Sequence, residues 1–318
     1  MNRDVTGLHH VGLVVDDLPR ALALYRRMGF RVPPPTFPTL PGTGPGAPAR
    51  PVGAGNTHVA FPAAFVEIVA VAGTELPPGA TAVPLEAPPD RLDRVVEGVL
   101  AVADRIAAAL ARFPGLHILV LETPDADVAA GRLTADGVPH GGVLRLRRPG
   151  GGGDVPLGVV EIDGAAGRTP EGRLALAEPL PAHAHEPAQL HHPNGACGLA
   201  AALLCVPDAD LDEYRARYAR YLRRPSRRDG PAHVFDLDRG RIVLVAGSDL
   251  DALLPGERPV ALPAFVGCSV LVADPERTRA FLEGAGFPLR TTADGHPFVP
   301  AGAALGAAVV FEAGGSPG

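Results

Sequence analysis

The chain has 318 residues, enough for two domains with their own cores, and its 46% hydrophobic and 20% charged residues are the balance of a folded protein. A net charge of −6, scattered basic residues and the complete absence of lysine argue against a nucleic-acid partner, a Schiff-base lysine and a phosphate-binding P-loop. No apolar run reaches about 18 residues, the N-terminus lacks a secretory pattern, and Cys197, Cys205 and Cys268 are too scattered for a disulfide framework or a cysteine zinc site, so a cytoplasmic protein without membrane contact is expected.

The first elements are a β-branched strand in LHHVGLVV, a capping Asp17, a helix with Leu18, Ala21, Leu22 and Tyr25 on one face, and a stop at Gly29. Residues 32–55 are rich in Pro and Gly and read as an irregular loop. The segments THVAF and AFVEIVAV then read as strands. A long amphipathic helix is expected over 90–113.

The opening pattern recurs. Asp125 and Gly137 stand 108 residues beyond Asp17 and Gly29, followed by the strand-like VLRLRR and LGVVEID. Between these, the glycines at 150–153 read as a hairpin turn, since no helix follows them to make a phosphate loop. Residues 164–195, rich in His and Pro, are the expected inter-domain connection. A weaker copy at 198–222 has Asp208 or Asp210 as its cap and no closing Gly, and HVFDL and RIVLVAG follow it. The Arg-rich stretch 215–228 there is expected to be a solvated face. In the final copy Asp274 and Gly286 share an offset of 257 from Asp17 and Gly29, with PFVPA and LGAAVVFEA behind them.

The predicted fold class is therefore α+β, with four βαββ(β) modules; that they pair into two domains with curled mixed sheets is implied by the family resemblance carried by the motifs that follow. An N-terminal domain over 1–180 would hold modules 1–75 and 115–165, and a C-terminal domain over 190–318 would hold modules 196–247 and 264–314.

His10 followed by Val11, Gly12 and Leu13, then Asp17-Leu18, resembles the vicinal oxygen chelate superfamily, which groups glyoxalase, bleomycin-resistance and extradiol dioxygenase proteins. The Gly55-Asn56-Thr57 turn, the closing Phe65-Val66-Glu67-Ile68 and the HHPNGACGL segment carry the same resemblance. It implies a divalent metal (Zn, Ni, Fe, Mn or Co) held by a His on the first strand and a Glu on the last strand of each of two modules. Carried onto this chain, the ligands are His10, Glu67, His117 and Glu161. A carboxylate set between Val66 and Ile68, or between Val160 and Ile162, is costly to bury unless paired or metal-bound, and the competing expectation is a solvent-facing strand residue.

His9 is the alternative to His10, because adjacent strand residues face opposite ways. At the offset of 108, His117 matches His9 instead of His10. Either a bulge at Thr123-Pro124 restores its direction or it is not a ligand. In the C-terminal half Gly267 takes the place of the ligand His, beside Cys268, which leaves a His192/His233/Glu312 set as a poorer candidate. His183, His185, His191 and His192 form a His-rich tract of a kind that can bind metal, or in which His185 or His192 is a candidate acid or base, as is Glu161, while Pro193-Asn194-Gly195 reads as a turn.

The expected function is a metal-dependent glyoxalase-like lyase or isomerase acting on a small organic molecule with vicinal oxygens, as a monomer or homodimer. The alternatives are an iron-dependent, extradiol-type dioxygenase and a non-enzymatic binding or resistance protein.

Overall fold

The computed structural model describes residues 4–42, 46–150, 153–162, 169–181 and 185–314. Module one consists of β1 (Gly7–Val14), α1 (Leu18–Arg27), β2 (Thr36–Leu40), β3 (Arg50–Pro51), β4 (Ala54–Phe61), β5 (Ala64–Val71) and β6 (Thr81–Pro84). The helix α2 (Pro89–Arg112) leads into module two, which contains β7 (Gly115–Glu122), α3 (Ala126–Ala135), β8 (His140–Gly150), β9 (Gly153–Ile162) and β10 (Arg173–Ala177). Module three holds β11 (Ala196–Val206), α4 (Leu211–Leu222), β12 (Arg227–Asp229), β13 (Ala232–Asp236) and β14 (Arg241–Ala246), followed by the short α5 (Leu250–Leu253). Module four is β15 (Ala264–Val272), α6 (Pro275–Gly284), β16 (Arg290–Thr291), β17 (Pro297–Val299) and β18 (Ala308–Ala313). Among the described residues no helix is long and apolar enough to cross a membrane.

Local chemistry sets the module helices where the Asp-to-Gly spacing predicts them. The Asp17, Asp125 and Asp274 side chains accept hydrogen bonds from first-turn backbone amides, and Gly29, Gly137 and Gly286 follow the helices at positive φ. In module three the closing glycine is missing, and Arg223 itself takes the left-handed conformation at φ 51°. Asp208 is turned away to accept from the Ser248 amide at 3.0 Å, so α4 starts without a side-chain cap.

Within each module the first strand pairs in parallel with a later one, β1 with β5, β7 with β10, β11 with β14 and β15 with β18, which is the last strand in every module but the first, where β6 follows. First strands then pair antiparallel, β1 with β7 and β11 with β15, and a single Phe265–Leu116 pair joins β15 to β7. Module two therefore ends at Ala177, later than the expected 165. The strand expected to close it, β9, is only its third, and β10 came from a stretch taken as linker.

Both first-strand pairs are locally two-fold. His10 lies opposite Val120 as Ile118 lies opposite Gly12, and Val11 meets Leu119 at the centre. The register shifts once on each strand, so that His9 on β1 and His117 on β7 are extra residues opposite the ladder. Corresponding shifts leave Ala200 on β11 and Val266 on β15 as extra residues. All four first strands are bulged at equivalent positions, and by this alignment Asp208 is the module-three counterpart of Asp17.

The four module helices lie on one face of the sheet over one continuous core, which takes Leu22 and Tyr25 from α1, Leu133 from α3, Tyr218 from α4 and Leu282 from α6. The opposite, inner face holds two further apolar clusters. In the C-terminal half Ala201, Leu203, Val243, Phe298 and Val310 fill it, with Phe113 inserted from the end of α2. In the N-terminal half Val14, Val69, Ile118, Val120 and Ala175 pack beneath Ile106, Ala109 and Leu110 of α2.

Candidate functional site

The bulge decides what the inner face of module one can hold. On a regular strand His9 and His10 would point to opposite faces. Here both are buried against the Phe65 ring, and their Nδ1 atoms stand 2.7 Å apart, a hydrogen bond in which one ring donates. Both imidazoles of the His9 or His10 alternative thus stand on the inner face. His10 stacks on Phe65 at 4.4 Å between ring centres and faces Glu67, its Nε2 4.0 Å from Oε2.

Glu67 is fixed from its other side. The Asn56 side-chain amide donates to Oε1 at 2.7 Å, and Thr36 Oγ1 donates to Asn56 Oδ1 at 3.4 Å. His58 sits opposite Glu67 in the β4–β5 register and meets the Phe65 edge at 4.6 Å. From the connection, His185 approaches Phe65 at 6.2 Å; His183 lies outside the described residues. His58 is a site residue not singled out from sequence, and Asn56 and Phe65 were quoted there only as parts of motifs, without a role at the site. The signal was present, since Asn56 and His58 alternate with Thr57 and Val59, which places them on one face.

The other expected ligands do not join this centre. His117 occupies its own bulge, not one at Thr123-Pro124. Its ring leans on Phe113 at 4.3 Å and Nε2 donates to the Phe113 carbonyl at 2.8 Å. Burial holds its pKa below the ordinary imidazole value, with that carbonyl pulling the other way. Glu161 lies on β9 opposite Ala175 and is bound to Arg173 at 2.7 Å, so an arginine already neutralises it. The register puts Ile118 and Ala175 of module two where module one has His10 and Glu67.

The C-terminal candidates are dispersed too. Both carboxylate oxygens of Glu312 accept from Arg241 at 2.6 and 2.7 Å, and His233 lies near Arg215 and Arg228 with its pKa lowered by burial. Arg227 is paired with Asp229 and Asp236, so this stretch is internally compensated, and the shallow depression beside it is built from module three alone.

His192, a candidate acid or base from sequence, is a structural pin. Its Nδ1 accepts from the Arg31 amide at 2.9 Å and Nε2 donates to the Ala60 carbonyl at 2.9 Å, between the edges of Phe30 and Phe61. Both ring nitrogens are committed to backbone. Asn194 continues the fastening by donating to the Met28 carbonyl, while Thr278 donates to the Asn194 carbonyl, which ties α1 to α6. A buried carboxylate missed from sequence, Glu171, is likewise structural. It accepts from Arg217 at 2.7 Å and Tyr218 at 3.1 Å, and burial pushes its pKa up against their pull.

A divalent ion held by two His and two Glu does not fit these residues. Module one offers two facing donors, and the counterpart positions of module two are apolar. Among the described residues no three His, Cys, Asp or Glu side chains are grouped to hold a metal. Thiolate ligation is no substitute, because burial pushes Cys268 up to about 12.

The family model that matches residues 8–222 is described as a glyoxalase-like domain. No curated protein matches the chain. Among solved structures, a hypothetical protein from Staphylococcus aureus superposes with a TM-score of 0.60 at 11% identity, covering 97% of this chain and 100% of that one. A mutant 4-hydroxymandelate synthase from Streptomyces coelicolor gives 0.55 at 13% identity, covering 98% and 94% of the two chains. A fusion of a xylose isomerase-like TIM barrel and a 4-hydroxyphenylpyruvate dioxygenase gives 0.52 at 13%, with all of this chain matching 50% of that one. At such identities the likeness is one of fold.

Elemental analysis of the purified protein should find zinc, nickel, iron, manganese and cobalt each well below one equivalent. A stoichiometric metal lost in both His10→Ala and Glu67→Ala would contradict the donor count. Burial also lowers the His192 pKa, with the Ala60 carbonyl opposing. Since the unfolded value is about 6.5, His192 and His117 contribute fully above roughly pH 7, and that stability is lost as pH falls below about 6.5 toward their folded values. Urea midpoints should therefore drop from pH 8 to pH 5, and His192→Gln should flatten part of that slope; an unaltered slope would refute the pin.

Proposed function

This chain belongs to the glyoxalase-like domain family of the vicinal oxygen chelate superfamily, and on that footing we propose that it is a lyase- or isomerase-type enzyme moving a proton on a small hydroxycarbonyl compound at His10 and Glu67. The observation that supports this most directly is the 4.0 Å approach of His10 Nε2 and Glu67 Oε2 on a face that is otherwise largely apolar. The gap is too long for a direct hydrogen bond, and a substrate oxygen seated between the two atoms would be in reach of both.

With His9 donating across the Nδ1 pair, His10 carries its proton on Nε2 and serves as a neutral hydrogen-bond donor. Asn56 holds Glu67 by Oε1 and leaves Oε2 toward His10. The substrate carbonyl accepts from His10 Nε2. Glu67 Oε2 removes the proton from the adjacent hydroxyl-bearing carbon, and the negative charge that develops on the carbonyl oxygen is stabilised by His10. Returning that proton from Glu67 to the former carbonyl carbon, while His10 Nε2–H is given to the former carbonyl oxygen and the hydroxyl proton replaces it on His10, completes an isomerisation. A carboxylate base beside a neutral imidazole is a known solution for enolisation without a metal.

The iron-dependent oxygenase alternative asks for three protein ligands with open positions, and module one supplies two. Simple sequestration at the same residues differs from turnover in one readout. In D2O the wild-type protein should place deuterium on the carbon next to the carbonyl of a 2-hydroxyketone such as hydroxyacetone, followed by NMR. Glu67→Gln should slow this about 10²–10⁴-fold, with binding little changed. Equal exchange in wild type and Glu67→Gln would overturn the assignment, and binding without exchange would favour sequestration.

A further inference from the structure

The segment VLRLRR alternates leucine with arginine, which puts Leu144 and Leu146 on one face of β8 and Arg145 on the other. Leu144 lies opposite Val159 and Leu146 opposite Leu157, so both leucines extend the apolar cluster of the inner face. They are nevertheless 55% and 38% exposed. Among the described residues β8 pairs with β9 alone, which leaves its other side as an open margin of the sheet.

The backbone at that margin is turned outward at alternate residues. Gly158 faces Arg145 in the ladder, donates its amide to the Glu178 carboxylate at 2.8 Å and accepts from the Glu178 amide at 2.9 Å. Neither group turns toward β8, so Arg145 and Gly158 form a non-hydrogen-bonded pair, and the amide and carbonyl of Arg145 point out of the open side. By alternation the backbone of Val143 and Arg147 points the same way. Such a row takes up another strand through main-chain hydrogen bonds, and the side chains beside it select which strand. The charge in the row is already answered on the outer face, where the Arg145 guanidinium is paired with Asp127 and, at 2.9 Å, with Glu178.

We propose that this edge is the contact between two copies of the chain, with β8 pairing antiparallel to β8 of a second copy about a two-fold axis at Arg145. Matching outward amides to outward carbonyls requires a symmetric register centred on a single residue. Centring on Leu144 would set Leu146 opposite Gly142, and centring on Leu146 would set Leu144 opposite Arg148. Centring on Arg145 alone sets Leu144 opposite Leu146 of the other copy on both sides of the axis. The leucines of both copies then close over the junction, and the two inner-face apolar clusters become continuous. Arg145 meets its own counterpart at the axis, but each brings its own Asp127 and Glu178, so the like charges are neutralised. A foreign strand would satisfy the backbone and would still have to carry leucines at this spacing, which a second copy does by construction. The strip is narrower than the surface an obligate dimer buries, so the association is reversible. It is independent of the proton transfer at His10 and Glu67.

Sedimentation of the full-length chain over about a hundred-fold range of concentration should show monomer giving way to dimer. Leu144→Glu/Leu146→Glu, at exposed positions, should raise the dimer dissociation constant at least about ten-fold and leave thermal unfolding at low concentration unchanged. The register is read by cross-linking on a Cys197→Ser background, which removes the exposed native thiol. Leu144→Cys mixed with a mass-tagged Leu146→Cys should form the mixed disulfide under mild oxidation, because directly opposed Cα atoms about 4.5 Å apart can be bridged. Either variant by itself should cross-link far less, since its two cysteines then lie diagonally, beyond the roughly 7 Å that a disulfide spans. A chain that stays monomeric throughout, a dimer that the glutamates leave undisturbed, or cross-linking as efficient within one variant as between the two would overturn the proposal.

Discussion

A strand that alternates strictly cannot place two neighbouring side chains on one face, and the site depends on breaking that rule. The one-residue bulge at His9 lets two imidazoles share the inner face, so that one ring orients the other toward Glu67. The bulge is not local to the site. It recurs at His117, Ala200 and Val266, which makes it a property of how first strands of paired modules meet. The proton transfer we propose for module one uses a distortion found in all four first strands, and among the described residues module one is where the bulge sets an imidazole facing a carboxylate.

The other modules show what the same geometry does with different side chains. Module two has Ile118 and Ala175 at the key register positions, and its inner face becomes a hydrophobic contact for α2. Modules three and four place Ala201 and Gly267 there and close with Phe113 and Phe298. Carboxylates nearby are neutralised one by one, Glu161 by Arg173, Glu312 by Arg241 and Glu171 by Arg217. An ion pair satisfies a partly buried carboxylate as well as a metal would, which is why a Glu inside an apolar run is an ambiguous signal.

Much of the fold was legible because caps and stops are local chemistry. Asp17, Asp125 and Asp274 with their trailing glycines mark the helices by rules that tertiary packing does not override. His10 and Glu67 were picked out by the resemblance and by their places on the first and a later strand of module one, and the structure sets them 4.0 Å apart. What escaped was longer in range. The offset of 108 correctly pairs His117 with His9, but a bulge is set by the partner strand and leaves no mark of its own. Glu161 was assigned to the last strand because RLALA at 173–177 falls inside the stretch 164–195, whose His and Pro content reads as the inter-domain connection. His192 had the composition of a reactive group, and its commitment to Arg31 and Ala60 arises from contacts 161 and 132 residues away in the chain.

The shared hydrogen bond between the two neighbouring imidazoles is the most direct expression of the bulge and can be observed by itself. In protein labelled with 15N at histidine, near neutral pH, the account predicts one Nδ1-bound proton with a scalar coupling across to the Nδ1 of the adjacent ring, assigned to His9 and His10 and abolished in His9→Ala. Two rings each protonated only at Nε2, with no coupling between them, would mean that the side chains point apart and that the strand runs through this position without its bulge.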